Sequence, residues 1–181
     1  MNTIKSYPAS AKLLHWASAL MIISMLFLGV SMIQSLAPWQ YTALALHQSF
    51  GVLVLVLVVI RLLNKLRFES PSLPADLAKV QKVIAHGSHV LLYLGMLAMP
   101  ISGWLMQSAN GVMISPFGLF GLPALIEPNI EYYGLFRELH GLIAWLLFAL
   151  ILLHIAGALY HGLVRRDNVL KSMTFGLYDR K

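Results

Sequence analysis

The chain has 181 residues, of which 59% are hydrophobic and only 11% are charged, whereas a soluble domain usually carries about 25% charged residues. This composition excludes a water-soluble globule, and the length allows one compact domain. The absence of cysteine excludes disulfides, cysteine-ligated iron–sulfur clusters, thiol nucleophiles and covalent haem attachment through a Cys-x-x-Cys-His motif. The formal charge of +6 suits either nucleic acid or a membrane surface, and the positions of the charges must decide between them.

Three long stretches without a charged residue predict four membrane-spanning helices. The stretches are 13–60, 83–126 and 139–164. A spanning helix needs roughly 20 apolar residues. Pro38 divides the first stretch because proline stops a helix, and the neighbouring Trp39 suits a headgroup layer. The predicted helices run at about 11–33, 43–64, 82–107 and 136–163. The sequence therefore predicts an all-α integral membrane four-helix bundle that forms a single membrane domain over residues 1–181.

The segment 108–135 joins the third and fourth predicted helices. It begins with the turn signal Asn110-Gly111 and is rich in glycine, proline and aromatic residues. Its apolar content argues against an ordinary solvent-exposed surface loop. We expect an interfacial periplasmic loop packed over one mouth of the bundle.

The basic residues predict the orientation of the chain. All of the thirteen lysines and arginines except Arg137 flank the two termini or the connection between the second and third helices. By the positive-inside rule, these regions and both termini are cytoplasmic. The first apolar run is too long for the core of a cleaved signal peptide, so we expect it to remain as a helix. Topology accounts for the net charge, and no nucleic-acid partner is expected.

Four of the seven histidines fall into two layers. His47 and His140 lie near the outer starts of the second and fourth helices, whereas His15 and His154 lie near the inner ends of the first and fourth. Fourteen residues separate His140 from His154, which is about 21 Å and close to four whole turns, so both side chains point the same way. An imidazole on each side of an iron fills both axial positions. The layers therefore suit two stacked haems that transfer electrons through the bilayer.

Glycines next to these histidines fit a flat macrocycle that approaches the helix backbone. They are Gly51, Gly141 and Gly157. Two alternatives remain open, because a buried histidine can hydrogen-bond a neighbouring helix and zinc or copper also takes imidazole ligands. A tetrahedral metal site, however, needs clustered ligands, and the four histidines are divided between two depths. His86 and His89 also lie towards the inner side, so the inner layer allows more than one pairing.

The order of short motifs resembles the bacterial cytochrome b561 family, and most closely its superoxide oxidase branch. The motifs are KLLHW at 12–16, HQSFG at 47–51, RLL at 61–63, HGSH at 86–89 and LHG at 139–141, followed by His154 and His161. The resemblance implies a four-helix bundle in the bacterial inner membrane that encloses two b-type haems without covalent attachment. It implies that His47 and His140 bind the outer haem iron and that His15 and His154 bind the inner one.

The resemblance also implies an activity. In that branch superoxide gives its electron at the outer haem, and the electron crosses to the inner haem and reduces ubiquinone near the cytoplasmic face. His161 matches a histidine implicated in binding ubiquinone, although an interfacial histidine can also simply contact headgroups. His86 and His89 match family histidines too, but we do not expect them to be haem ligands. The roles left open for them are lining the quinone pocket, carrying protons or only bracing the bundle. Trp16 lines the inner haem edge or serves as an interfacial anchor.

Arg137 is the candidate for guiding superoxide, because it is the only basic residue predicted outside and lies one turn before His140. The alternative is a salt bridge to a haem propionate or to one of the acids of the outer loop. Those acids, Glu127, Glu131 and Glu138, give the loop a net negative charge that opposes capture of an anion.

Two other functions remain open at this stage. One is a diheme electron carrier between quinone and a periplasmic redox protein, such as a dehydrogenase subunit. An acidic outer surface favours that carrier, and a positive pocket over the outer haem favours superoxide. The other is a haem-free transporter or scaffold, which a purified sample without red colour would indicate.

Overall fold

The computed structural model describes residues 6–34 and 37–175. Its helices are α1 (Ala9–Ile33), α2 (Trp39–Lys65), α3 (Lys79–Ala109), α4 (Ile130–Leu159) and α5 (Val169–Met173). A short 3₁₀ turn covers Pro116–Gly118, and a π-helical turn, Tyr160–Arg165, extends α4. These described residues contain no strand, which confirms the all-α prediction. Lys5, Arg180 and Lys181, which contribute to the predicted topology, lie outside the described residues.

Helices α1 to α4 are each long and apolar enough to cross a membrane. Many of their large apolar side chains point away from the protein interior: Leu20 is 72% exposed, Ile84 64% and Leu153 68%. Such a surface is unfavourable in water and suits contact with lipid chains. The prediction of four spanning helices is confirmed, and the chain is an integral membrane protein.

All four spanning helices begin earlier than the sequence predicts, and the differences are largest for α4 and α2. Helix α4 begins at Ile130 rather than at about 136, because the Asn129 side chain accepts hydrogen bonds from the backbone N–H groups of Glu131 and Tyr132 and caps the helix. Helix α2 begins at Trp39 rather than at about 43. Pro38 lies directly before its first turn, where a fixed φ favours a helix start, so Trp39 is helical and does not belong to an interhelical break.

The helices pack in chain order, with α1 along α2, α2 along α3 and α3 along α4. By contrast, the backbone of α4 makes few close approaches to α1 or α2. The buried apolar core lies at mid-height and consists of Ile22, Val54, Val58, Leu92, Met96 and Leu147. Leu147 lies two turns from His140 and two turns from His154, so this core separates the two histidine layers.

The two ends of the bundle are closed differently. At the loop end, which we define by residues 110–129, the Phe117 N–H donates to Ser49 Oγ at 3.0 Å, and the Phe117 ring meets the edge of Phe50 with centroids 5.3 Å apart. At the α5 end, the Trp16 indole N–H donates to the Met173 carbonyl at 3.0 Å. The long loop therefore packs on protein, and α5 is tied to the start of α1.

We expect Leu147→Ala to lower the free energy of unfolding by about 2 kcal/mol or more, because the cavity in the mid-height core cannot fully collapse. Leu147 is 2% exposed, whereas its neighbour Leu146 is 56% exposed and provides the matched control. Leu146→Ala should change stability by less than about 1 kcal/mol. Thermal unfolding in detergent measures both, and equal effects would contradict this position for the core.

Candidate functional site

At the loop end, the rings of His47 of α2 and His140 of α4 lie edge to face with their centroids 6.3 Å apart. The Ser102 hydroxyl donates to the Met99 carbonyl at 2.8 Å, so its oxygen accepts from the Nδ1–H of His140 at 2.9 Å. With the proton on Nδ1, the Nε2 atom of His140 is free to bind a metal. The buried Nδ1 of His47 has no hydrogen-bond partner among the described residues.

Two glycines lie directly behind these rings. A Cβ on Gly29 would lie 3.4 Å from Cε1 of His47, and one on Gly103 would lie 3.1 Å from Cε1 of His140. A side chain at Gly103 would therefore push the His140 ring. Sequence reasoning missed both glycines, although Gly29 interrupts a run of large apolar residues. The three glycines that it did single out, Gly51, Gly141 and Gly157, border open space, because a Cβ on any of them would meet no described atom within 4 Å.

At the α5 end, three histidine rings meet. The His15 and His154 rings have centroids 6.2 Å apart, and His89 of α3 lies 5.4 Å from His154. The Nδ1–H of His89 donates to the Ala85 carbonyl at 2.6 Å, one turn back along α3. The structure thus brings His154 close to His15 and to His89, two of the partners that the sequence left open.

Arg61 contacts this second pair, which sequence reasoning missed because it used Arg61 only for topology and as part of the RLL motif. Its guanidinium lies 2.7 Å from Nδ1 of His15 and donates to Ser18 Oγ at 2.8 Å. The same group lies over the ring of Tyr93 at 5.4 Å. The sequence did contain a signal for this role. Arg61 lies one helical turn before Lys65, where α2 ends, and therefore lies inside the membrane span.

His161 lies in the π-helical turn after α4. Its Nδ1–H donates to Asp167 Oδ2 at 2.6 Å, and Nε of Arg165 donates to the same oxygen at 3.0 Å. Arg165 also pairs with Asp76 of the α2–α3 connection. Partial burial raises the pKa of Asp167, but the hydrogen bonds from His161 and Arg165 outweigh it, so the pKa lies below its ordinary value.

Two other predicted residues stay apart from these groups. His86 is exposed, and its Nδ1–H donates to the Lys82 carbonyl at 2.7 Å. Arg137 is also exposed, and within the described part of the chain it forms no ion pair. The alternative of a salt bridge to the acids of the outer loop is therefore not found.

The spacing of both pairs suits a metal between two imidazoles. An imidazole nitrogen binds a metal at roughly 2 Å and the ring centroid lies about 1 Å further back, so opposed ligands have centroids about 6 Å apart. The measured separations are 6.3 and 6.2 Å. Over residues 6–34 and 37–175, no group of three His, Cys, Asp or Glu side chains is arranged to hold a metal ion, so the zinc or copper alternative lacks a ligand set there.

Comparison with known proteins identifies the family of the chain. Residues 6–176 match the family described as prokaryotic cytochrome b561. The chain belongs to this family. It is 32% identical over 174 residues to "Cytochrome b561 homolog 2" of Escherichia coli (strain K12), covering 95% of this chain and 93% of that protein. It is 30% identical over 163 residues to "Probable superoxide oxidase CybB" of Yersinia pestis, covering 88% and 90%.

A third relative is "Cytochrome b561 homolog 1" of Escherichia coli (strain K12), 32% identical over 127 residues, which cover 70% of this chain and 72% of that protein. Membership of the cytochrome b561 family implies that the chain binds haem b and transfers electrons in a membrane. The coarse sequence prediction, a membrane electron-transfer protein of this family, is confirmed.

We expect Asp167→Asn to loosen the segment that follows α4, because a neutral amide accepts weaker hydrogen bonds than a carboxylate. Asp167 Oδ1 also accepts from the Val169 N–H, so the amides of α5 should exchange hydrogen roughly fivefold faster. Exposed Glu69→Gln is the control.

The same contacts predict a pH dependence. The folded pKa of Asp167 lies below its ordinary value of 3.8, so its stabilisation is present above that value and is lost as pH falls through the folded pKa. The protection factors of the α5 amides should therefore fall below about pH 4 in the wild type and change less in Asp167→Asn. Equal acid sensitivity in both proteins would contradict the role of this carboxylate.

Proposed function

We propose that the protein is a superoxide:ubiquinone oxidoreductase that carries electrons across the bacterial inner membrane through two b-type haems. The observation that carries the proposal is the presence of two neighbouring histidine pairs, with ring centroids 6.3 and 6.2 Å apart, on either side of an apolar core. In the proposed reaction two superoxide ions lose one electron each and become oxygen. Ubiquinone takes up both electrons and two protons and becomes ubiquinol.

In this proposal His47 and His140 hold the haem at the loop end, and His15 and His154 hold the other. Haem b bound by two imidazoles supplies an iron that accepts and passes on one electron and has no free position for oxygen. Ser102 orients His140, and the open space beside Gly141 leaves room for the macrocycle. The sparse backbone contact between α4 and its neighbours α1 and α2 supports the same placement.

The orientation follows from charge. The described basic side chains other than Arg137 lie towards the α5 end, where Arg61, Arg165 and Lys171 are found. The positive-inside rule therefore supports a cytoplasmic α5 end and a periplasmic loop end. Superoxide then meets the chain at the loop end, where exposed Arg137 offers a positive charge. The relative named as a probable superoxide oxidase supports this substrate.

Ubiquinone is proposed to bind at the α5 end beside His161. Asp167 accepts from Nδ1 of His161 and so fixes the ring with Nε2 turned away from the carboxylate. When the ring is doubly protonated, its Nε2–H can donate a hydrogen bond to a quinone oxygen and pass on that proton as the quinone is reduced, which leaves the neutral ring with its proton on Nδ1. Asp167 and Arg165 act by positioning the ring.

A diheme carrier for a periplasmic protein is the second candidate, and one observation favours it. Glu127, Glu131 and Glu138 are all exposed at the loop end. An acidic surface of this kind attracts a basic protein partner and repels superoxide.

The ligand assignment predicts that His47→Ala or His140→Ala removes one haem and spares the other, because the remaining pair is separated by the mid-height core. The haem-to-protein ratio should fall by about half, with one low-spin signal left in the electron paramagnetic resonance spectrum. His86→Ala, at an exposed histidine away from both pairs, is the control and should keep both haems. Loss of both haems equally, or of neither, would contradict the pairing.

The activity is tested by mixing the purified haem-loaded protein with superoxide and a soluble ubiquinone. The proposal expects rapid haem reduction and formation of one ubiquinol for every two superoxide ions. Arg137→Gln should slow haem reduction by superoxide several-fold and leave reduction by dithionite unchanged, because it removes a steering charge only. Haem reduction by superoxide no faster than background would exclude the enzyme and favour the carrier.

A further inference from the structure

A charged side chain lies inside the membrane span next to one histidine pair. Arg61 is partly buried in α2, and its contacts are Ser18, His15 and the ring of Tyr93. In the described residues the ion pairs with Asp or Glu involve only His161 and Arg165, so no carboxylate of the protein compensates Arg61 there. A charge at this depth is costly unless an anion accompanies it.

The contact with His15 shows when that anion is needed. A guanidinium only donates hydrogen bonds, so Nδ1 of His15 must accept from Arg61 and the ring proton must be on Nε2. If Nε2 binds a metal, the proton of the neutral ring moves to Nδ1, and this contact can no longer form. Arg61 then needs another acceptor at the same depth. Haem b carries two carboxylates of its own, whereas the described residues pair no protein carboxylate with Arg61.

We propose that Arg61 binds a carboxylate of the haem held by His15 and His154 and that its positive charge raises the reduction potential of this haem above that of the other. The inference rests on the proposed function in one respect, which is that both histidine pairs hold haem. A nearby cation stabilises the reduced state of the iron, because that state carries one more electron.

The other pair has no comparable charge. In the described part of the chain, His47 and His140 contact Ser102, Gly29 and Gly103 and hydrogen-bond to no charged side chain. At the Arg61 side a second cation, Lys65, also lies over the Tyr93 ring, with its Nζ 4.9 Å from the ring centroid. The two haem environments therefore differ in charge as well as in depth.

This difference gives the electron path a direction. Transfer from the loop-end haem to the α5-end haem becomes favourable, and the gain opposes the membrane potential, which disfavours moving an electron towards a negative cytoplasm. The asymmetry thus favours electron flow from a periplasmic donor to a quinone on the cytoplasmic side.

Redox titration of the haem-loaded protein tests the potential. Arg61→Gln should lower one midpoint potential and leave the other unchanged, so that the equilibrium constant for transfer between the haems falls by about tenfold. Arg61→Lys keeps the charge and should keep most of the difference. The same pair of substitutions in the His47→Ala protein, which retains only the α5-end haem, identifies which potential moves. Unchanged potentials, or an equal shift of both, would overturn the proposal.

A second measurement remains decisive if Arg61→Gln fails to retain haem. The haem-free full chain is titrated with haem b and with its dimethyl ester, which lacks the carboxylate charge. The wild type should bind the ester more weakly at the α5 end, and Arg61→Gln should not distinguish the two. If Arg61→Gln still binds haem b more tightly than the ester, the proposed contact between Arg61 and a haem carboxylate is wrong. A wild type that binds neither form would instead contradict the proposed function itself.

Discussion

The structure depends on the distance at which α4 is held from α1 and α2. Imidazole rings meet across that gap at two heights, and the ring centroids within the two pairs are 6.3 and 6.2 Å apart. The helix backbones themselves make few close approaches. Helix α3 maintains the spacing because it packs on both α2 and α4. It also contributes Ser102 and Gly103 to one pair and His89 to the other. Closer packing of α4 would close both gaps, and looser packing would separate the rings.

The two ends of the bundle differ in chemistry, and this difference gives the symmetric histidine pattern its direction. The loop end has neutral contacts around its histidines and exposed acids outside, together with the exposed cation Arg137. The α5 end has Arg61 at a histidine ring and the His161–Asp167 pair just beyond it. An electron donor at the loop end and an acceptor that takes protons at the α5 end fit this arrangement.

The sequence predicted the number of spanning helices because charge is excluded from lipid and the chain contains long charge-free stretches. It also predicted which histidines share a height, because depth follows from counting residues along a helix. It placed all four helix starts too late. The two largest errors arise because Asn129 caps α4 through its own side chain and because Pro38 directly precedes the first turn of α2.

The contacts that tune the site were beyond sequence reasoning for a different reason. The pairs Arg61–His15, Ser102–His140 and Asp167–His161 depend on how each helix is rotated about its axis and on the reach of one side chain. A charge such as Arg61 near a helix end satisfies the topology rule equally well whether it faces headgroups or a histidine. Only packing distinguishes these cases.

We propose that each histidine pair holds one haem between two imidazoles. The most direct measurement is the haem content of the purified wild-type chain together with its electron paramagnetic resonance spectrum in the oxidised state. We predict two b-type haems per chain, both low-spin because both axial positions are filled by histidine. One haem per chain, or a high-spin signal that persists in intact protein, would contradict it.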